Sequence, residues 1–122
     1  MGRTVFENLI VCQLSEKLAD LVWDTVMKWE KFARFTVGEQ LVKSADSIGA
    51  NIAEGTGRGS ASDNRKFAMI ARGSLYEVKH WLRRAYKRKL LDEKDIPQFQ
   101  KIIDELTPKL NAYINSLTKR IS

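Results

Sequence analysis

Apolar residues recur at every third or fourth position along most of this 122-residue chain, and this spacing restricts its fold more than any other feature. In the first such stretch, Leu14, Leu18 and Leu21 share one face of a helix. Seven glycines and two prolines leave little material for the turns of a β-sheet, and no run alternates between apolar and polar residues. The sequence therefore predicts an all-α protein.

Four helices are predicted from this spacing, with the first break at residues 35–37. Their approximate bounds are residues 11–31, 38–54, 62–89 and 94–119. The second helix is expected to end at Gly55, and Ser62 or Asp63 is expected to cap the third. Pro108 falls inside the fourth helix and is expected to kink it. Short loops favour antiparallel neighbours, so we expect one domain, residues 1–122, folded as an up-down-up-down bundle.

Cysteine content and hydropathy indicate the compartment. The single cysteine, Cys12, has no partner for an internal disulfide, and the first four residues lack the apolar stretch of a secretory signal. Charged residues interrupt every apolar segment before it reaches the ~18 residues that a membrane span needs. We therefore expect a cytoplasmic protein with no membrane segment.

Positive charge is concentrated in the third predicted helix and in the loop before it. Residues 58–89 hold ten basic residues against two acidic ones, a net charge of +8 in a chain whose total is +6. The candidate nucleic-acid-binding residues are Arg65, Lys66, Lys79, Arg83, Arg84, Lys87, Arg88 and Lys89. Such a cluster attracts phosphates, and Trp81 and Tyr86 offer stacking faces if they are exposed. The alternative is a solvated helix end whose cations complement the helix dipole, with Trp81 in the core or in a subunit interface.

Catalytic and metal-binding patterns are weak. The glycine loop at residues 55–59 follows a helix and lacks the spacing of a phosphate-binding loop. Glu77 and His80 form one Glu-x-x-His pattern, but a di-iron bundle uses two such patterns, and His80 is the single histidine. The same histidine is the one imidazole base available to Cys12 or Ser74. We therefore expect a protein that is not an enzyme and that holds no cofactor or metal.

Two sequence blocks resemble the signature of a known family. The first block, SIGANIAEGTGR, occupies residues 47–58, and the second, IARGSLYE, occupies residues 70–77. On these blocks the chain is similar to the four-helix-bundle proteins also called 23S rRNA-intervening-sequence proteins. The resemblance covers nearly the whole chain and implies a bundle that assembles into a homopentameric ring. The family also includes relatives of the accessory variability protein of diversity-generating retroelements, a basic pentamer that binds a reverse transcriptase and nucleic acid.

The signature residues are expected to have a structural role at helix contacts or interfaces. They are Asn51, Glu54, Gly55, Arg58, Arg72, Gly73, Ser74 and Glu77. Opposite charges on the second and third helices suggest an ion-pair and hydrogen-bond network, and the candidate pairs are Glu54 with Arg72 and Arg58 with Glu77. Glycine destabilises a helix interior by ~1 kcal/mol relative to alanine, so Gly49 and Gly73 are expected where these two helices approach closely.

Two functional hypotheses follow. The first is a non-enzymatic, basic, oligomeric accessory protein that binds the backbone of RNA or DNA through the third helix, with a steep salt dependence. The second is a protein-interaction scaffold for a reverse transcriptase or another nucleic-acid enzyme, with no independent nucleic-acid binding. The sequence leaves open the choice between RNA and DNA, because backbone contacts do not distinguish them.

Overall fold

The computed structural model describes residues 3–121, and the side chains of residues 7–121. Its elements in chain order are α1 (Arg3–Val26), α2 (Lys31–Ala33), a π-helical turn (Arg34–Gly38), α3 (Glu39–Thr56), α4 (Ala61–Lys87) and α5 (Ile96–Arg120). No strand occurs among the described residues, which confirms the all-α prediction. Within the same part of the chain, no helix is both long and apolar enough to cross a membrane.

The four long helices form a bundle around one core. α1 packs on α3 and α5, and α4 packs on the same two helices. Two hydrogen bonds join α3 to α4, one between Ser47 and Ser74 and one between Ser44 and Glu77. Residue numbers therefore rise along α3 where they fall along α4. The hydrogen bonds of α5 with α1 and with α4 also run in opposite directions along the two helices, so these neighbouring helices are antiparallel, as expected for an up-down-up-down bundle. The largest fully buried aliphatic side chains are Leu18, Leu41, Ile48, Ile52, Leu75, Leu106, Leu110 and Leu117.

The connection between α1 and α3 differs from the prediction. α1 covers residues 3–26 rather than about 11–31, and the chain is already helical again at residues 35–37, where a break was expected. The break lies instead at residues 27–30, because Glu30 caps the next helix. Its carboxylate oxygens accept hydrogen bonds from two backbone N–H groups of α2 at 2.8 and 2.9 Å.

The other predicted helix ends lie within two residues of the observed ones. The cap of α4 is Ser60, rather than Ser62 or Asp63, and its Oγ accepts a hydrogen bond from the Asp63 backbone N–H at 3.1 Å. α5 has Pro97 in its first turn, where the missing N–H is not needed, and the helix continues through Pro108.

The close contact between α3 and α4 is made at Gly55, and not at the two glycines expected from the sequence. A Cβ atom on Gly55 would lie 2.8 Å from Asn64 Oδ1 and 2.9 Å from Phe67 Cβ. A Cβ atom added at Gly49 would lie 3.7 Å from Ser15 Cβ of α1, an ordinary contact. Gly73 is exposed, and a Cβ atom added there would meet no neighbouring element within 4 Å. The expectation failed because helical spacing does not tell which neighbour a small residue faces.

Candidate nucleic-acid interface

The eight candidate basic residues fall into two groups, one near the beginning of α4 and one in its last turns and the turn that follows. Arg65 and Lys66 lie near its beginning, where Arg65 is half-buried and donates a hydrogen bond from Nε to Thr118 Oγ1 at 2.7 Å. Arg65 and Arg83 are separated by about 27 Å along the helix axis. The eight candidate residues therefore do not form one site, and Arg65 is held against α5.

The other six candidates are close together in the last turns of α4 and the turn that follows. Residues four apart share a helix face, so five of the six form two neighbouring stripes. The first stripe is Lys79, Arg83 and Lys87, and the second is Arg84 and Arg88. Lys79 and Arg84 are half-buried, whereas the other side chains are exposed. Because residues 78–91 include no acidic residue, the positive potential of this cluster is not offset within the segment.

The sixth candidate, Lys89, occupies the turn that ends α4. Its backbone N–H donates to Tyr86 O at 3.0 Å, and the Leu90 N–H donates to Ala85 O at 2.9 Å, which is the pattern of a Schellman motif. Lys89 has φ 62°, a conformation that costs a residue with a Cβ about 1 kcal/mol more than glycine. The chain thus places a cation where glycine would be better for the backbone.

The connection between α1 and α3 lies at the same end of the bundle. The antiparallel register of α3 and α4 places the π-helical turn beside the last turns of α4, which it contacts. Arg34, in this turn, has a buried Nε atom without a hydrogen-bond partner, the one such side-chain atom found among residues 7–121. A buried donor left unpaired costs about 1–3 kcal/mol, so an acceptor near Arg34 would be stabilising. Sequence analysis missed Arg34 because the residue is distant in sequence from the cluster on α4.

Exposed aromatic side chains accompany these cations. Phe32 is 74% exposed and Phe35 is 64% exposed, and both belong to the segment that leads into α3. The Arg34 guanidinium lies 5.8 Å from the centroid of the Phe35 ring, in cation–π geometry. Trp23 and Met27, at the end of α1, are about half exposed as well. This end of the bundle therefore presents both positive charge and apolar surface.

The two aromatic residues inside the basic cluster differ in accessibility. Trp81 is partly buried, packs against the core and meets the His80 ring edge-on at 4.9 Å. Tyr86 is 46% exposed, and its hydroxyl donates a hydrogen bond to Glu93 Oε1 at 2.6 Å. This hydrogen bond to a carboxylate raises the pKa of Tyr86 above its ordinary value. Tyr86 therefore offers a neutral, oriented ring face to solvent, whereas Trp81 does not.

The signature residues of α3 and α4 include a small hydrogen-bond network centred on Ser47. The Ser74 hydroxyl donates to Ser47 Oγ at 3.0 Å across the two helices. Asn51 Nδ2 donates to Ser47 Oγ at 2.9 Å and to the Ser47 carbonyl at 2.8 Å. These contacts satisfy polar groups inside the bundle and so stabilise the pairing of α3 with α4.

The two cross-helix ion pairs expected from the sequence are not formed among the described residues. Arg58 lies in the turn after α3 and pairs with Glu54 of α3 at 3.0 Å, because residues four apart come together at the end of a helix without any help from a second one. Arg72 donates to Asn111 Oδ1 of α5 at 3.0 Å, since it lies on the side of α4 that faces α5. Glu77 Oε2 accepts a long hydrogen bond of 3.5 Å from Ser44.

Comparisons with known proteins agree with this architecture. The family model described as 23S rRNA-intervening sequence protein matches residues 7–112, which is most of the chain. The structure is similar to that of a protein of unknown function from the S23 ribosomal protein family of Bacteroides thetaiotaomicron VPI-5482. That similarity has a TM-score of 0.79 and 22% sequence identity, and it covers 89% of this chain and 98% of the other. No curated protein matches the chain. At this identity the structural similarity establishes a shared fold.

Proposed function

This chain belongs to the 23S rRNA-intervening sequence protein family, and from that premise we propose that it is a non-enzymatic, oligomeric accessory protein that binds the phosphate backbone of RNA or DNA. The observation that supports this most directly is the pair of basic stripes on the last turns of α4, in a segment without acidic residues. Lysine and arginine side chains on one surface displace the counterions of a nucleic acid, which gives tight, salt-sensitive and largely sequence-independent binding.

Two further features at this end of the bundle favour an anionic partner. Lys89 keeps a cation in a backbone conformation that suits glycine, and a strained position of this kind is often found where function requires the side chain. Arg34 adds a buried donor without an acceptor, which a phosphate oxygen would satisfy. Both residues lie at the same end of the bundle as the two stripes, so the cations of this end are not confined to α4.

The proposed active form is a homopentamer, as the family resemblance implies. Exposed apolar side chains such as Trp23 and Met27 support contacts between subunits. Five copies of the basic surface on one assembly would raise the avidity for a long nucleic acid without any new type of contact. Light scattering tests the proposed pentamer directly, since its mass would be five times the 14.0 kDa of one chain. A monomeric mass would refute the assembly.

The binding test uses two variants with the same change in net charge. The patch variant replaces Arg83, Arg84, Lys87 and Arg88 with glutamine, and the control variant replaces Lys101, Lys109, Lys119 and Arg120, exposed residues of α5, with glutamine. Fluorescence anisotropy measures the binding of structured RNA, single-stranded RNA and duplex DNA between about 50 and 200 mM salt. Circular dichroism verifies that each variant keeps its helix content.

We expect the wild type and the control to bind with a steep salt dependence, and the patch variant to lose most of its affinity. Each phosphate contact contributes about 0.7–0.9 to the slope of log K against log salt, so the patch variant should lose up to about 3 units of slope. Equal losses in the two variants would mean that net charge, rather than this surface, governs binding. That result, or a wild type that binds none of the three nucleic acids, would overturn the proposal.

The second candidate function is a scaffold for a reverse transcriptase or another nucleic-acid enzyme, whose acidic surface would meet the basic one. The exposed rings of Phe32 and Phe35 favour it, because large exposed aromatic side chains are typical of protein-docking surfaces. The scaffold predicts weak binding of every nucleic acid alone. It also predicts that serine at both phenylalanine positions abolishes capture of the partner enzyme, while the helix content stays unchanged.

A further inference from the structure

A groove lies between the last turns of α4 and the first turns of α5, beneath the loop that joins them. Its volume is about 610 Å³, within the range of about 300–1,000 Å³ that is usual for sites of small ligands. The floor is apolar and consists of the buried side chains of Leu82, Leu91, Phe99 and Ile103. A groove of this volume with an apolar floor suits one planar group better than it suits the flat surface of a folded protein.

Tyr86 forms one wall of the groove. Its hydroxyl is tied to Glu93 in the α4–α5 loop at 2.6 Å, which restricts the rotation of the ring. An exposed aromatic ring in a set orientation is a stacking platform for a nucleobase, and every base has a π-face that can use it.

The two rims of the groove carry opposite charges. The α4 rim bears Lys79, Arg83 and Lys87, one complete stripe of the basic cluster. Gln100 and Asp104 belong to the α5 rim, and Glu93 belongs to the loop that joins the two helices. Asp104 is held on its rim by a hydrogen bond of 2.7 Å from Gln100 Nε2 to its Oδ1. The cationic rim matches the phosphates of a strand, and the carboxylates match the exocyclic amino group of a base, since acidic side chains accept hydrogen bonds from cytosine N4.

We propose that this groove takes one unpaired base with an exocyclic amino group from a single-stranded nucleic acid, while the flanking phosphates contact Lys79, Arg83 and Lys87. The inference rests on the proposed function and adds that the basic surface selects single-stranded nucleic acid. A duplex cannot occupy the groove in this way, because its bases are stacked and paired. An acidic rim would also repel a duplex backbone that lay across it.

The test measures the binding of three RNAs to the 122-residue chain. They are oligocytidine and oligouridine of about 12 nucleotides, and a duplex RNA. The variant Tyr86→Ala removes the wall of the groove, and Tyr76→Ala is its matched control. Tyr76 lies on the same helix, is similarly exposed and does not line the groove, and its ring meets one groove residue, Lys79, whose Nζ lies 5.5 Å from the ring centroid. A third variant, Tyr86→Phe, keeps the ring and loses only the hydroxyl.

We expect the wild type to bind oligocytidine about 5-fold or more tightly than oligouridine, because uracil has no exocyclic amino group to donate. Tyr86→Ala should weaken the binding of oligocytidine by about 5- to 100-fold, and should do so more than it weakens the binding of the duplex. Tyr76→Ala removes only the ring beside Lys79, so it should weaken the binding of oligocytidine and of the duplex alike, and by much less than Tyr86→Ala weakens the binding of oligocytidine. Tyr86→Phe should retain most of the affinity for oligocytidine.

Equal affinities of the wild type for oligocytidine and oligouridine, with Tyr86→Ala losing as much duplex as single-strand binding, would overturn the inference and leave the proposed function standing. A change in the assembly mass of Tyr86→Ala without a selective loss of oligocytidine binding would identify the groove as a contact between subunits and would also overturn the inference. If the wild type binds none of the three RNAs, the inference is overturned, and the proposed function fails with it only if duplex DNA is not bound either.

Discussion

Replacing two glycines of the signature blocks with alanine should change the stability of the protein in opposite directions. In Gly55→Ala the new methyl would lie 2.8 Å from Asn64 Oδ1, 2.9 Å from Phe67 Cβ and 3.0 Å from the Asn64 carbonyl oxygen. Carbon atoms in contact are normally about 3.5–4.0 Å apart, and two of the three neighbours move only if α4 moves. Overpacking of this kind costs about 1–3 kcal/mol, and the better helix propensity of alanine offsets less than about 1 kcal/mol of it.

Gly73→Ala is the matched opposite case. A Cβ atom at this exposed helix position meets nothing within 4 Å, so the variant should gain close to the full helix-propensity difference of about 1 kcal/mol. For a chain of this length, 1 kcal/mol corresponds to about 4 °C in Tm. We therefore expect Gly73→Ala to raise Tm by about 4 °C and Gly55→Ala to lower it by about 4–8 °C.

Thermal unfolding followed by circular dichroism at equal protein concentrations measures the Tm of both variants. A Gly55→Ala variant as stable as the wild type would refute the close approach of α3 and α4 at this residue. A Gly73→Ala variant less stable than the wild type would refute the open surroundings of Gly73. If that loss disappears on dilution, Gly73 faces a neighbouring subunit, because the stability of an assembly depends on concentration.

Two smaller predictions concern a helix cap and a titrating side chain. Ser60→Ala should lower the free energy of unfolding by about 1 kcal/mol, because it removes the cap of α4. Ser62→Ala should change the free energy of unfolding by less than about 0.5 kcal/mol. Urea unfolding of the two variants distinguishes the observed cap from the one expected from the sequence. The pKa of Tyr86 is raised because its hydroxyl donates to Glu93. The stabilisation from this hydrogen bond is complete below the pKa of tyrosine in the unfolded chain, about 10, and is lost as pH rises through the pKa of Tyr86 in the folded chain. Ultraviolet titration should show one tyrosine midpoint that falls in Glu93→Gln, and an unchanged titration would contradict the bond.

Interactions that are local in the chain were visible in the sequence. The spacing of Leu14, Leu18 and Leu21 indicated a helix, and the glycines from residue 55 onward indicated where α3 ends, because such signals depend on residues within about four positions of each other. The concentration of charge on one helix was visible for the same reason. Local signals also conflicted at the end of the first helix. The apolar spacing continues to residue 32, but α1 ends at Val26 and Glu30 caps the next helix.

Contacts between helices were decided by the tertiary structure. Helical spacing shows which residues share a face, but the rotation of each helix about its axis and its register against its neighbours follow from the packing of all four. For this reason the sequence could not show that Gly55 rather than Gly73 meets a neighbour, or that Arg72 faces α5. The groove beside Tyr86 depends on the same packing, because its two walls belong to different helices. The sequence by itself therefore determined the helices and their charge, and only the tertiary structure decided which side chains meet.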